Sequence, residues 1–320
     1  MNMSIAAKAM TLLRLVARGD WQTVRSRWLY NTATRRAGRH GGKSFVHHDM
    51  GYPAVCHPDW VDSLDQFCNM AGDHWEAALL RDWLRPGDAA IDAGANLGLY
   101  SFALADRVGQ QGRVLAVDAD LFIIEKLRAA AQLLDATQIK PLHAAVADQT
   151  GTLTFYVRSD RFSTAEQSLV PSEGTRGACR AVATPALTIA DLIRELDRQA
   201  DLALIKVDIE GAEAMAFRTV PADLLREDGP FWLVEIHPGA LARFGATPAD
   251  IVKCFPMSSF ELWLLPKHPL AHVTEPLKLR RLTESELFAE SLYYNLLAVP
   301  RGQRWRERRL GLKKYLPLDT

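Results

Sequence analysis

Cysteine is scarce in this chain. The four that occur, Cys56, Cys68, Cys179 and Cys254, form no Cys-x-x-Cys pair and no regular framework. That excludes a disulfide-stapled secreted scaffold and suits buried or free thiols in a reducing cytoplasm. His47, His48, Cys56, His57, Cys68 and His74 lie loosely together, but their irregular spacing and the intervening Pro53 and Pro58 argue against zinc. No apolar run approaches the ~18 residues that a membrane-spanning helix requires. Met1 to Ala17 is amphipathic and broken by Lys8 and Arg14, without the apolar centre and cleavage site of a signal peptide. No internal repeat occurs, and no aromatic-basic RNA motif or recognition-helix signature, so nucleic acid is not an expected partner.

Net charge is also missing: 38 Lys and Arg balance 38 Asp and Glu. The balance hides an uneven spread. Residues 1–43 hold nine basic side chains against Asp20 alone, and residues 301–320 hold seven against Glu307 and Asp319. Between them lie 22 basic and 35 acidic residues. Basic ends on an acidic body suggest docking on an anionic membrane or glycan. The alternative is that the ends are solvated or pair with the body itself.

Two short segments carry the chemistry. Ala89-Ala90-Ile91-Asp92-Ala93-Gly94-Ala95-Asn96-Leu97-Gly98 and Leu204-Ile205-Lys206-Val207-Asp208-Ile209-Glu210-Gly211-Ala212-Glu213 each run from an apolar strand into carboxylates and glycine, then into a helical pattern. The carboxyl edge of a doubly wound parallel sheet reads this way, and ligands bind there. Between them Arg113-Val114-Leu115-Ala116-Val117-Asp118 ends a second strand in an acid, 20 residues after Gly98. That spacing suits hydrogen bonds from the ribose hydroxyls of a nucleoside.

Which nucleoside follows from charge. A dinucleotide fingerprint has three glycines that seat a pyrophosphate. Here Asp92 stands at the strand end and the pattern is Asp92-x-Gly94-x-Asn96-x-Gly98. A pyrophosphate would be repelled by Asp92, whereas a ligand with an ammonium and a sulfonium would be attracted, directly or through water. A nicotinamide oxidoreductase is therefore disfavoured against a methyl donor.

With those motifs on the page, the chain resembles the FkbM family of class I S-adenosylmethionine-dependent methyltransferases over about residues 74 to 300. The motif Asp-x-Gly-Ala-Asn-x-Gly stands as Asp92 to Gly98, and Ile-Lys-x-Asp-x-Glu-Gly-x-Glu as Ile205 to Glu213. His143-Ala144-Ala145-Val146-Ala147-Asp148 resembles the family's third strand, and Pro185 to Leu192 its lead-in, with Thr188 in place of Asp. The family's Glu-Pro at the second strand end is Asp118-Ala119 here. The resemblance implies S-adenosylmethionine as cofactor, bound by Asp92, Gly94, Ala95, Asn96, Gly98, Asp118 and Asp148, and O-methylation of a small or glycan acceptor. The enzyme is expected in the cytoplasm, with peripheral membrane contact through its basic ends. A non-catalytic, membrane-associated glycan-binding protein is a rival reading that leaves the clustered acids idle.

The expected fold is α/β: a Rossmann-like, doubly wound, mostly parallel seven-stranded sheet with helices on both faces and an N-terminal helical extension. The expected division is a basic helical extension at 1–73, the methyltransferase domain at 74–300 and a basic tail at 301–320. Helical spacing marks Ala6 to Ala17, Trp60 to Phe67, Trp75 to Leu84, Phe122 to Leu134 and Ile189 to Arg198, with a glycine-rich break at 36–42. Thr152 to Val157 alternates as a strand, Phe231 to His237 reads as the fifth parallel strand, and Phe260 to Leu265 with Tyr293 to Val299 as a closing antiparallel pair. Residues 159–184 lack periodicity and read as a loop of the length that covers or binds something.

Methyl transfer to an alcohol needs a group that takes the hydroxyl proton. Asp208 and Glu210 stand at one strand end, Glu235 and His237 at the next. Lys206 lies one strand alternation from Asp208, on the same face, placed to hold it ionised or to polarise the acceptor oxygen. Lys206 pairing with Glu213 as a purely structural bridge is equally open. His237 offers a pKa near the operating range. The carboxylates also invite a divalent cation, but strand-end carboxylates are common in metal-free methyltransferases and no metal is expected.

Overall fold

The computed structural model describes Ala17 and residues 43–48, 52–57, 76–158, 168–170, 179–198, 201–266, 279–281 and 294–315. Apart from Ala17, the anticipated helices at Ala6 to Ala17 and Trp60 to Phe67, and the break at 36–42, lie outside the described residues. The strands are β1 (Phe45–His47), β2 (Ala54–Cys56), β3 (Ala89–Ala93), β4 (Arg113–Asp118), β5 (Ile139–His143), β6 (Ala145–Val146), β7 (Gly151–Arg158), β8 (Cys179–Leu187), β9 (Leu202–Val207), β10 (Phe231–Ile236), β11 (Phe260–Pro266), β12 (Arg280–Arg281) and β13 (Tyr294–Pro300). The helices used below are α1 (76–83), α2 (Leu99–Val108), α3 (Leu121–Leu133), α4 (Ile189–Glu195), α5 (Glu213–Phe217), α6 (Pro238–Ala242), α7 (Pro248–Val252) and α8 (Arg306–Gly311).

One sheet organises the molecule, in the order β12-β11-β13-β10-β9-β3-β4-β5. Strands β5, β4, β3, β9 and β10 are parallel, and β13 runs antiparallel between β10 and β11. Seven of these strands match the expected sheet and its closing antiparallel pair, and the two-residue β12 adds an eighth at the edge. The chain winds outward from β3 to β5, then returns to β9 and on to β10, so the sheet's direction of winding reverses between β3 and β9. Clefts for ligands open at the carboxyl end of such a reversal.

The strand sequences explain their burial. All six residues of β9 and of β10 are buried, as helices on both faces require. Along β10, Phe231 and Leu233 join one core with Trp83, Leu104 and Trp305, while Trp232, Val234 and Ile236 join a second with Leu192, Phe217 and Phe255. Side α4 opens on a capping box, in which Thr188 and Asp191 satisfy each other's backbone N–H.

Three expectations change. Residues 179–184 belong to β8, which pairs antiparallel with β7 and parallel with β6 in a separate three-stranded sheet. Pro185 inside the strand and weak apolar alternation concealed it. In the segment expected to be helical up to residue 73, β1 and β2 form an antiparallel pair, and Tyr52, Ala54 and Val55 enter the main core. Residues 301–315 are no tail: Trp305, Leu312 and Tyr315 are buried in the same core, with Trp305 stacked 5.3 Å from Trp83.

Most of the basic residues of this C-terminal segment make contacts with the fold. Arg308 grips both oxygens of Asp88, Arg309 donates to the Pro300 and Gly302 carbonyls at 2.8 Å, Lys314 pairs with Asp82 at 2.6 Å and Arg304 lies over the Trp305 ring. Asp88 is 9 % exposed, so removing its partner leaves a carboxylate largely out of water. Arg308→Ala is therefore expected to cost roughly 2–4 kcal/mol in a urea melt, whereas a solvated tail residue would change stability by less than ~0.5 kcal/mol.

Candidate functional site

Period-two alternation sets the site's floor. Asp92, Lys206, Glu235 and Asn295 fall on the same face of four adjacent strands, β3, β9, β10 and β13, with Asp92 in register with Lys206 and Glu235 with Asn295. All four are buried. The Lys206 ammonium lies 3.3 Å from Asp92 Oδ1, 3.5 Å from Asp208 Oδ2 and 3.3 Å from the Gly94 carbonyl, to which it donates. Asp92 is fully enclosed, and its other oxygen accepts from Ser101 Oγ at 2.7 Å. It therefore acts on a ligand only through its neighbours.

The turn after β3 is held from beneath. Gly94 adopts φ 77°, and a Cβ there would stand 1.7 Å from the backbone oxygen of Asp208. The end of β9 lying against it thus requires glycine at this position. Asn96 also has positive φ, and its N–H donates to Asp118 Oδ2 at 2.9 Å. Gly98 caps α2 in a left-handed conformation against Leu127 and Phe102. Gly94 and Asn96 are partly exposed, Ala95 and Gly98 buried, so the latter two shape the turn.

Asp118 stands at the end of β4 beside this turn. Its oxygens accept from the N–H groups of Asn96 and Asp120, both at 2.9 Å, and retain lone pairs for further donors. Burial raises its pKa to about 6 against the pull of those two N–H bonds. The Asp118 carboxylate is partly exposed, next to the left-handed turn at Asn96. Asp148 is engaged by Arg218 at 3.1 Å and is not bonded to this group.

The turn after β9 gathers the acids. Glu210 has φ 58°, and its carboxyl is pushed up to about 9 by burial and then by Glu235, Asp208 and Glu213, with Arg243 opposing. Glu213 is buried and raised to about 8 by burial and Glu235, although its Oε1 accepts from the Ile209 and Gly211 N–H groups. Glu213 thus serves the turn, and Lys206 pairs with Asp92 and Asp208. Asp208, with its side chain 26 % exposed, faces outward from this cluster. His237 is exposed, and its Nδ1 accepts the Ala240 N–H at 2.9 Å as the cap of α6, which puts the ring proton on Nε2. In this arrangement the Nδ1 lone pair is engaged by the backbone. Among the described residues no group of three His, Cys, Asp or Glu side chains is arranged to hold a metal ion.

Four further residues complete the site. Tyr100 and Ser101 on α2, Glu76 on α1 and Asn295 on β13 carry none of the motif signals, because helix and strand side chains read as core. Part of the 159–184 segment reaches the site too: Ser168 Oγ donates to the Glu210 carbonyl at 3.3 Å, and Arg243 bridges the Glu210 and Val170 carbonyls.

A family model of the methyltransferase FkbM domain matches residues 92–262, more than half of the chain. The chain belongs to the FkbM methyltransferase family. This FkbM methyltransferase uses S-adenosylmethionine as its cofactor. The family match selects methyl transfer over nicotinamide chemistry. A search of curated proteins found no match. Among solved structures the chain is similar to a TehB-like S-adenosylmethionine-dependent methyltransferase from Corynebacterium glutamicum (15% identity, 75% of this chain and 96% of that one, TM-score 0.36). It is similar also to fibrillarin from Aeropyrum pernix (14%, 72% and 76%, 0.36) and to a methyltransferase from Aquifex aeolicus (10%, 74% and 95%, 0.36).

Two outcomes follow from this geometry. Gly94→Ala should destabilise the fold by at least ~2 kcal/mol in a thermal melt and abolish donor binding, because the β9 end must retreat. Gly87→Ala, at a similar φ but with nothing within 4 Å of its Cβ, should cost less. For Asp118 the raised folded-state pKa means its protonated form favours the empty fold, a contribution lost as pH rises through about 6. Ribose hydroxyls require the ionised form, so donor affinity should fall about tenfold per unit as pH drops below 6, with proton release on binding. Calorimetry from pH 5 to 7 checks this, and a flat profile refutes the ribose assignment.

Proposed function

We propose that this FkbM methyltransferase O-methylates a hydroxyl of a glycan, polyketide or other small acceptor in the cytoplasm, with Asp208 taking the hydroxyl proton. One observation carries the reading: at the reversal of the sheet, Asp208 is a partly exposed carboxylate paired with a buried ammonium. The donor, when bound, supplies a methyl group already activated by its sulfonium charge. What remains for the protein is to orient the acceptor and remove its proton.

The residues divide that work. Asp118 and the partly exposed backbone at Gly94 and Asn96 hold the nucleoside, with Asp148 a further candidate contact. Lys206, itself held by Asp92, favours the charged form of Asp208 and keeps it in place. Glu210 and Glu213, raised to about 9 and about 8, are protonated near neutral pH and serve poorly as bases there. Arg243 and Ser168 fix the Glu210 backbone and with it the acceptor side. An alcohol proton passes to Asp208 as its oxygen takes the methyl carbon.

The free thiols Cys179 and Cys254 accord with a cytoplasmic setting. No helix among the described residues is long and apolar enough to cross a membrane. Because four of the seven C-terminal basic residues are tied into the fold, any contact with an anionic membrane rests mainly on the nine before Ser44.

A labelled-methyl screen against sugars, polyketides and lipid-linked glycans identifies the acceptor. With it, Asp208→Asn should lower turnover by about 10²–10⁴-fold while leaving donor affinity nearly unchanged. His237→Ala should lose its helix cap, at about 1 kcal/mol of stability, and keep turnover within a few-fold. Full turnover by Asp208→Asn would overturn the assignment.

A further inference from the structure

We propose that Tyr100 is the positioning residue for Lys206, and that Glu76 and Asn295 lock it in place. The Tyr100 ring lies beneath the Lys206 ammonium, which is 4.9 Å from the ring centroid. Its hydroxyl donates to Glu76 Oε2, and Glu76 Oε1 accepts from Asn295 Nδ2 at 2.7 Å. All four side chains are buried, with exposures between 3 % and 8 %. The chain of contacts runs from α1 and β13 through α2 to β9, so it joins the acceptor end of the sheet to the donor turn.

The physical argument starts from the lysine. Its ammonium sits on a flexible four-carbon stem, and buried charge of this kind is stable only where every side of it is answered. Asp92, Asp208 and the Gly94 carbonyl answer three directions, and the negative face of the aromatic ring answers a fourth. The ring also bars water and keeps the stem from swinging. Without it the ammonium can settle on Asp92 alone, which is fully buried and the nearer carboxylate, and leave Asp208.

Asp208 would feel that departure strongly. The charged groups around it are Asp92 on β3, Lys206 on its own strand, Glu210 and Glu213 after β9, Glu235 on β10, and Arg243 beyond Glu210. Among the described residues Lys206 is a cation in contact with it, and the acids named here outnumber the bases. Displacing Lys206 exposes Asp208 to its acidic neighbours and moves its titration to higher pH.

The inference rests on Asp208 as proton acceptor, which the turnover of Asp208→Asn tests separately. Its own test needs no acceptor. The full chain is labelled with ¹³Cγ-aspartate, the Asp208 resonance is found by its loss in Asp208→Asn, and its titration is followed by NMR. In Tyr100→Leu the midpoint should rise by about one pH unit or more. Tyr100→Phe, which keeps the ring and loses the link to Glu76, should give a smaller rise. A merely structural role would lower stability and leave the midpoint where it is. If Tyr100→Leu does not fold, Tyr100→Phe and Asn295→Leu carry the test, and both must move the midpoint upward. An Asp208 that titrates as in wild type in these variants overturns the role of Tyr100, and the turnover of Asp208→Asn decides separately on the proton acceptor.

Discussion

A buried ammonium between two carboxylates constrains everything around it. Lys206 is 3 % exposed, and an isolated charge at that depth would cost several kcal/mol. Asp92 must therefore face it from β3, which requires the register that pairs those two positions across the reversal of the sheet. Asp208 must end β9 on the same face, and α2 must start where its second residue, Tyr100, can slide beneath the charge. Ser101, next in that helix, takes the remaining Asp92 oxygen. Strand register, helix start and turn shape answer to a single ion.

The surrounding acids divide by environment and not by type. Glu210 and Glu213 stand among other carboxylates without a lysine of their own and hold their protons near neutrality. Asp208 has the lysine and an opening outward. Carboxylates in one sequence motif, spaced two and three residues apart, thus come to different protonation states. The same division of labour between neighbouring acids underlies acid–base chemistry on many folds.

The parallel sheet was legible because its strands are apolar runs ended by acids and glycine, a pattern that local physics imposes. Asp92, Asp118 and Asp208 stand in or directly after β3, β4 and β9, and the apolar run before Asp208 is strand β9. What stayed hidden was tertiary. Glu76 and Asn295 lie far apart in the chain, and nothing local distinguishes them from ordinary polar residues until the sheet brings them to Tyr100. Trp305 and Arg308 sat in a segment whose charge suggested solvent, because composition does not reveal that Asp88 and Asp82 wait for it. Strand β8 carries a proline and little apolar contrast. His237 looked like a base from its residue type, and only the backbone beyond it shows its Nδ1 already engaged.

The contact between Gly94 and the Asp208 carbonyl has a kinetic side. Two motifs more than a hundred residues apart touch backbone to backbone, and the lysine of one is neutralised by the acid of the other. Contacts of such long separation form only after loop-closure entropy has been met, so they belong to the slow part of folding. A chain collapsed around β3, β4 and their helices has the glycine turn but neither its floor nor its counter-charge. A donor that recognises the finished turn therefore binds only where β9 is docked against it.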